Sequence, residues 1–204
     1  MLYDIHTYDV KPLAVAELEE QVAEVLPTRL EISPLGGFWH TEVGPLNQII
    51  HIWPYENMEH RTASRALMNA RNVWGCLSAE FLVNMQSDIY LPAPFMRPLG
   101  EAEFGPIYEM RTYTYRSGDI SKVIDAWGDA IEEREKYSPL VGAFYSDAGS
   151  MNRWTHIWAY ESFEQRMQVR EETRERGIWP PTGAARPLQQ ESKILLPAEF
   201  SPLQ

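Results

Sequence analysis

Two stretches of this chain repeat each other at a fixed offset of 105 residues, without insertion or deletion. Residues 51–56 and 156–161 both read His-Ile-Trp-x-Tyr-Glu, and residues 89–95 and 194–200 both read Ile-x-Leu-Pro-Ala-x-Phe. Near the start of each repeat, Tyr3, Thr7 and Tyr8 return as Tyr108, Thr112 and Tyr113. This unit is much longer than the roughly 20 to 50 residues of a solenoid repeat, so it indicates a duplicated domain.

Each repeat predicts the order strand, helix, strand, strand, helix, strand. In the first repeat, strands are predicted at residues 2–10, 35–43, 47–55 and 88–91. The first helix is predicted to open at Pro12 and to end at Pro27, and the second to run from Asn57 as N-cap to about residue 72. The second repeat predicts the same order, with Ser162 and Gln165 as a capping box.

Residues 96–106 contain two prolines and two glycines, which is typical of a linker. We therefore predict two domains, residues 1–101 and residues 102–204. The repeats differ most at residues 75–86 and 180–190, where we expect loops of different shape. A βαββαβ unit forms an antiparallel sheet with both helices on one face, and two such sheets can cover each other's open face. The predicted fold class is α+β, with two ferredoxin-like units packed sheet to sheet.

The net charge of −11 and the pI near 4.9 argue against nucleic-acid partners and anionic membrane surfaces. No apolar run approaches the roughly 18 residues of a membrane span, and the chain opens into a strand-like segment rather than a leader. We expect a cytoplasmic protein on these grounds. The single cysteine, Cys76, excludes an intrachain disulfide and is expected to be a small buried hydrophobe.

Alternation along the strands separates two sets of side chains. One set is apolar, as in Ile50 and Ile52, and we expect it to face the helices. The other set is polar and aromatic, and we expect it to line the space between the two sheets. Its members are His6, Tyr8, His51, Trp53 and Tyr55, with Arg111, Tyr113, His156, Trp158 and Tyr160 in the second repeat, joined by His40 and Tyr145.

Bulky aromatic residues with a few ionisable groups are typical of a small-molecule pocket, but they would fill a domain interface equally well. For the pocket, His156, His51 and His6 are the candidates for moving protons. Arg111 could hold an anionic group of a substrate or could pair with Glu109. The pseudo-symmetry breaks here, because His6 occupies the position of Arg111 in the first repeat.

Other recurring residues have a structural interpretation. We expect Arg61 and Arg65, with Arg166 and Arg170, to pair with glutamates in solvent, and Trp74 and Trp179 to serve packing. The sequence has no phosphate-binding glycine loop, no Gly-x-Ser-x-Gly elbow and no His-Glu-x-x-His pair. Its five histidines are scattered, so we predict neither a metal site nor a cofactor.

Several segments resemble the NIPSNAP family. They are Tyr-Glu-Met-Arg-Thr-Tyr-Thr-Tyr from Tyr108, Ser-Gly from Ser117, His-Ile-Trp-Ala-Tyr-Glu from His156, Lys-Ile-Leu-Leu-Pro from Lys193, and Phe-Ser-Pro-Leu from Phe200. The first half matches less well, since Asp4 and His6 stand where the family pattern expects Glu and Arg. The resemblance implies a dimeric α/β barrel type of fold, here with both units fused in one chain as a pseudo-dimer.

The wider fold group includes cofactor-independent monooxygenases, isomerases and haem-binding enzymes, whereas NIPSNAP members are mostly of unassigned activity and some are mitochondrial adaptors. The resemblance thus favours a small-molecule-binding protein or a cofactor-independent enzyme that uses the barrel interior. Two alternatives stay open, a non-enzymatic adaptor or structural protein and a haem-binding protein, because fold kinship does not determine function. The expected partner is a small-molecule ligand, and a homo-oligomer is compatible with the fold.

Overall fold

The computed structural model describes residues 1–74 and 79–204, which form eight strands and four α-helices. The first repeat gives β1 (Leu2–Val10), α1 (Val15–Leu30), β2 (Gly37–Val43), β3 (Gln48–Tyr55), α2 (Met58–Ala70) and β4 (Leu82–Pro92). The second gives β5 (Ile107–Thr114), α3 (Ile120–Glu135), β6 (Leu140–Ala148), β7 (Arg153–Tyr160), α4 (Phe163–Glu175) and β8 (Gln189–Pro197). The prediction for Cys76 lies outside the described residues.

The strands close into one antiparallel barrel in the order β1-β3-β2-β8-β5-β7-β6-β4. Each repeat supplies a four-stranded sheet, and the two sheets join where β2 pairs with β8 and β4 with β6. Trp39 lies opposite Pro197 at the first junction, and Tyr90 opposite Ser146 at the second. The predicted α+β fold, with two tandem ferredoxin-like units forming a pseudo-dimeric barrel, is confirmed.

The inside of the barrel carries the apolar set of side chains. Residues from both repeats form one buried cluster there, including Ile5, Ile52, Met110, Ile157 and Leu195. The polar and aromatic set lies on the outer side of the sheets, under the helices. Our prediction that this set lines the space between the sheets is therefore wrong. The reason is that contact between two apolar sheet faces excludes water completely, whereas the helices supply cations that can pair with buried strand carboxylates.

One end of the barrel is closed by the segment that connects the repeats. Met96, Leu99 and Phe104 pack against the interior cluster. A short bridge between Ala102 and Leu203 ties this segment to the end of the chain. The other end of the barrel is polar.

The two predicted helix caps are present in α2 and α4, whereas α1 begins at Val15 rather than at Pro12 and continues beyond Pro27. The side chain of Asn57 accepts a hydrogen bond from the backbone N–H of His60 at 2.8 Å, and Ser162 accepts one from Gln165 at 3.0 Å. Pro27 does not end α1, which continues to Leu30. The last turn is held because the side chain of Arg29, buried beneath it, bonds to Ser33 and to β3.

Two strands are longer than predicted. β4 begins at Leu82 rather than at residue 88, so part of the expected loop at residues 75–86 is strand, and β8 begins at Gln189 rather than at residue 193. The added polar residues pair on one side only, those of β4 with β1 and those of β8 with β5. In the described part of the chain, no helix is long and apolar enough to cross a membrane.

Leu195 offers a test of the barrel core, since it is fully buried between the two sheets, whereas Leu188 is 57% exposed. We expect Leu195→Ala to lower the free energy of unfolding by about 2–5 kcal/mol through lost burial and a residual cavity. Leu188→Ala should change it by less than about 0.5 kcal/mol. Urea unfolding followed by circular dichroism measures both, and similar losses for the two variants would contradict an apolar barrel interior.

Candidate functional site

A buried carboxylate lies under the helices of the second unit. Glu109, on β5, has no exposed surface and accepts hydrogen bonds from Arg166 at 2.6 Å, Ser192 at 2.8 Å and Arg111 at 3.1 Å. A nitrogen of Arg170 lies 3.6 Å from its second oxygen. Burial alone would raise the pKa of Glu109, but the bond from Arg166 and the nearby positive charges lower it to about 2. Glu109 is therefore ionised at any physiological pH.

The first unit repeats this arrangement with smaller groups. Asp4 is fully buried and accepts hydrogen bonds from Arg61 at 2.6 Å and Ser87 at 2.5 Å, while His6 lies 3.1 Å away. Burial would raise the pKa of Asp4, yet His6, Ser87 and Arg61 together lower it well below the usual value. The prediction that Arg61 and Arg166 pair in solvent is wrong, because both reach down to a strand carboxylate.

A buried arginine forms the second element of each unit. The Arg134 side chain, on α3, is 2% exposed and bonds to Ser138 at 3.0 Å and Tyr160 at 3.4 Å. Its guanidinium stacks 4.1 Å from the ring centre of Trp158. Burial lowers its pKa, but a guanidinium stays protonated in proteins. Among the described residues, no carboxylate lies within ion-pair distance of it, and its Nε has no hydrogen-bond partner.

Arg29 takes the same position in the first unit. It bonds to Ser33 at 2.6 Å and to Tyr55 at 3.0 Å, and it stacks 3.7 Å from the ring centre of Trp53.

A tryptophan fixes the histidine in each unit. The indole N–H of Trp158 donates to Nδ1 of His156 at 2.9 Å, and that of Trp53 donates to Nδ1 of His51 at 2.6 Å. Indole nitrogen is only a donor, so Nδ1 must be the unprotonated nitrogen and Nε2 carries the proton. Burial lowers the pKa of both histidines well below the usual value, which keeps them neutral. Nε2 of His156 is buried and has no partner among the described groups.

These elements meet at a cavity of about 630 Å³ in the second unit, between the sheet, α3, α4 and residues 179–190. We call it the helix-side cavity. Its aromatic walls are Tyr113, Tyr115, Trp127, Trp158 and Trp179, and His156 lies among them. Six arginines also line it, namely Arg111, Arg134, Arg166, Arg170, Arg174 and Arg186. Of the carboxylates in the described residues, Glu171 alone is part of its wall.

The first unit has a smaller cavity of about 270 Å³. Four predicted site residues line it, His6, Tyr8, Trp53 and Tyr55, together with Arg29 and Arg65. His51 is buried beside it, stacked on His6 with ring centres 4.7 Å apart. The predicted site residues therefore lie at two separate cavities, one in each unit, and not at one cavity between the units.

The remaining predicted residues fall into two groups. Arg111, Tyr113, His156 and Trp158 line the helix-side cavity, and Tyr160 lies behind it as a partner of Arg134. His40 and Tyr145 line neither cavity. His40 pairs with Glu19 of α1 at 2.8 Å, a bond that raises its pKa, and Tyr145 packs against the core of the second unit.

Sequence reasoning missed Arg134, Arg186 and Trp127, and it underestimated Arg170 and Trp179. Trp179, expected to serve packing alone, is part of the cavity wall, with its ring centre 4.5 Å from that of Trp127. A signal for Arg134 was present, because Arg29 and Ser33 return as Arg134 and Ser138 at the 105-residue offset. In residues 1–74 and 79–204, no three His, Cys, Asp or Glu side chains converge as a metal site.

Both halves of the chain match one family model, NIPSNAP, at residues 3–97 and 108–202. Protein NipSnap homolog of Dictyostelium discoideum is 29% identical over 207 residues, which cover 98% of this chain and 88% of the relative. Protein NipSnap homolog 3A of Homo sapiens is 28% identical over 220 residues, covering 100% and 86%. A solved protein of Lactobacillus acidophilus, provisionally assigned as a monooxygenase, covers 98% of this chain and 97% of its own with a TM-score of 0.67. At 12% identity it shares the fold alone.

Replacing the buried carboxylate tests its pairing. Glu109→Gln leaves three arginines without their shared partner, so we expect it to lower the free energy of unfolding by about 3–5 kcal/mol. Glu171→Gln, at a side chain 66% exposed, should cost less than about 1 kcal/mol.

Glu109→Gln also tests how the free energy of unfolding depends on pH. The folded-state pKa of Glu109 is depressed from 4.5 to about 2, so its contribution is complete above pH 4.5 and is lost as the pH falls towards 2. Denaturant titrations between pH 6 and 2 should show a shallower decline for Glu109→Gln than for the wild type. Parallel curves would contradict the pairing.

Proposed function

The chain belongs to the NIPSNAP family, and from this premise we propose that its second unit binds a small anionic metabolite in the helix-side cavity. The observation that carries the proposal is the set of six arginines in the cavity wall against one wall carboxylate, Glu171, among the described residues. One of the six, Arg134, is buried and has no carboxylate in ion-pair distance in that part of the chain. Buried charges are normally paired, because removing an ion from water costs several kcal/mol. A bound anion would supply the missing partner.

The charge distribution points the same way. Acidic residues outnumber basic ones by 29 to 18 in the whole chain, yet six of the 18 line this one cavity. Glu109 neutralises part of that charge but is shared by Arg111, Arg166 and Arg170. Two opposite charges 4 Å apart attract by about 4 kcal/mol in a partly dry site, so the surplus cations favour an anionic ligand there.

The volume and the wall residues of the helix-side cavity indicate what the ligand carries besides its anionic group. A volume of about 630 Å³ lies within the range of small-molecule pockets. The rings of Trp127, Trp158 and Trp179 meet at this cavity, and they suit a planar or aromatic body. We therefore propose an anion of modest size, such as a carboxylate or phosphate, attached to a flat apolar part.

The side chains suit binding and charge stabilisation better than proton abstraction. His156 presents an N–H rather than a free ring nitrogen, and its pKa is lowered by burial. Glu109 is a weak base, since its pKa is about 2. If the protein is an enzyme, Arg111 and Arg134 would stabilise an enolate-type anion while His156 donates a hydrogen bond and Tyr113 orients the substrate. That role fits a cofactor-independent isomerase or monooxygenase.

Two other hypotheses are less well supported. An adaptor without a ligand would not need a large cavity lined by arginines. Haem binding would need a histidine nitrogen free to hold iron, but Nδ1 of His156 accepts a bond from Trp158 and Nε2 carries the proton. His51 has the same arrangement with Trp53.

Benzoate and phenyl phosphate are suitable probes for the cavity. By titration calorimetry, we expect saturable binding of at least one of them to the wild type. Arg170→Gln should weaken it about tenfold or more, since a hydrogen bond to a charged group contributes about 1.5–3 kcal/mol. Arg97→Gln is the matched control, because Arg97 is 64% exposed and pairs with Glu135 away from the cavity. Absence of binding of both probes to the wild type would refute the proposal.

His156→Phe tests whether the N–H of the neutral His156 ring donates a hydrogen bond to the ligand. It should weaken probe binding about fivefold, the effect of about 1 kcal/mol from one hydrogen bond. Because the pKa of His156 lies well below its usual value, the loss should be equal at pH 5.5 and pH 8. His40→Gln, outside both cavities, should leave the affinity unchanged. A loss for His156→Phe that grows as the pH falls through the ordinary histidine range would show instead a titrating imidazole.

A further inference from the structure

A separate cavity occupies the polar end of the barrel interior, opposite the end closed by Met96 and Phe104. We call it the barrel-mouth cavity, and its volume is about 310 Å³. Ile5 and Met110 of the interior cluster form part of its wall. The polar lining consists of Asp9, Asp88, Tyr90, Arg153, Glu191 and Lys193, with several amides and threonines. It shares no lining residue with the helix-side cavity.

Lys193 is the unusual member of this lining. It lies on β8 opposite Met110 of β5, and its amine donates to the side-chain carbonyl of Gln48 at 2.7 Å. Among the described residues, no carboxylate lies within 4.0 Å of the amine. Burial lowers its pKa, the charges of Glu191 and Asp9 oppose this effect, and the charge of Arg153 adds to it. A partly buried lysine whose nearest partner is a neutral amide is uncommon, because such lysines are normally paired.

Two of the three acids of the cavity, Asp9 and Asp88, are occupied by other donors, whereas the third, Glu191, is exposed. Asp9 accepts from Gln48 at 2.6 Å and from Asn84 at 3.2 Å, one bond to each oxygen. Asp88 accepts from the backbone N–H of Ser150 at 2.8 Å and from Gln86 at 2.5 Å. These bonds hold the carboxylates in place and leave the amine free of a close ion pair.

Arg153 supplies a second cation at the same mouth. It lies near the hydroxyl of Tyr90. In the part of the chain that the structure describes, it too has no carboxylate within 4.0 Å. An amine and an unpaired guanidinium in one small cavity are complementary to a ligand that carries a carbonyl group beside a carboxylate.

We propose that the barrel-mouth cavity is a second ligand site, in which Lys193 forms an imine with a small 2-oxo carboxylate whose carboxylate is held by Arg153. The unprotonated Nζ adds its electron pair to the carbonyl carbon, and the carbonyl oxygen takes up a proton. The nitrogen then loses its two protons, one to the departing hydroxyl, which leaves as water, and one to solvent, so that a C=N bond replaces the C=O bond. The reaction needs no oxidant, reductant or metal.

The other lysines of the chain serve as reference amines for the reactivity of Lys193. The chain has four lysines, and the others are Lys11, Lys122 and Lys136. Lys122 and Lys136 are 66% and 62% exposed, and each lies beside a carboxylate. The charged groups that act on the pKa of Lys193 are Glu191 on β8, Asp9 on β1 and Arg153 on β7, and Asp88 and Tyr90 on β4 line the same cavity.

Reductive trapping tests the proposal. The full chain is incubated with pyruvate and sodium cyanoborohydride near neutral pH, and modified lysines are quantified by peptide mass spectrometry. We expect Lys193 to be labelled several-fold faster than Lys122 and Lys136, because burial lowers its pKa and Arg153 lies in the same cavity to hold the carboxylate of pyruvate. Labelling of Lys193 at or below the rate of the exposed lysines would overturn the proposal. Lys193→Arg, which keeps the charge, should remove the fast phase, and a fast phase that persists would also overturn it.

A matched pair of carbonyl compounds tests the role of Arg153. Acetone has the ketone of pyruvate but no carboxylate. Arg153→Gln should slow the labelling of Lys193 by pyruvate at least about tenfold more than its labelling by acetone, because acetone loses only the effect of the Arg153 charge on the amine, whereas pyruvate also loses its carboxylate partner. Arg97→Gln should change neither rate. Equal slowing with both compounds, or with neither, would refute carboxylate binding by Arg153. Circular dichroism of each variant checks that the fold is retained.

Discussion

The inner faces of the two sheets are apolar, and their contact across the barrel determines where every other side chain must lie. Ile5, Ile52 and Leu195 belong to the cluster that joins the two repeats. Because strand side chains alternate, this contact places Asp4 and Glu109 under the helices, where water is also excluded. Buried carboxylates need cations, and the second helix of each unit supplies them. The ionic clusters are thus a consequence of the apolar barrel interior.

A comparison of the two units distinguishes the side chains that the fold requires from those that a ligand would require. Both units keep a buried carboxylate, a buried arginine and a Trp–His hydrogen bond, so these elements suffice to build the fold. The units differ at the cavity wall, where His6 and Asn69 of the first correspond to Arg111 and Arg174 of the second. The first unit folds without these added cations. Their presence in the second unit agrees with the anionic ligand that we propose for the helix-side cavity.

The repeat in the sequence predicts the element order, the helix cap at Asn57 and the pairing of two sheets, because each depends on local patterns that occur twice. The assignment of faces failed, since alternation yields two sets of residues without saying which set meets the helices. Both sets contain large apolar groups, and the answer depended on side chains such as Trp127 that pack on the outer face. Arg134 had no motif of its own and was recognisable only as a repeated arginine at a buried helix position.

Strand β8 forms part of the wall of the helix-side cavity and of the barrel-mouth cavity. Ser192 bonds to Glu109 under the helices, while its neighbour Lys193 faces the interior of the barrel. Neighbouring residues of a strand point to opposite faces, so two sites of different chemistry can be one residue apart without sharing a side chain. On one side the arginines are permanently charged and aromatic rings surround them. On the other side, the amine of Lys193 has little solvent to stabilise its charge. Side chains fill the barrel at only one end, so space remains beside this amine at the other end.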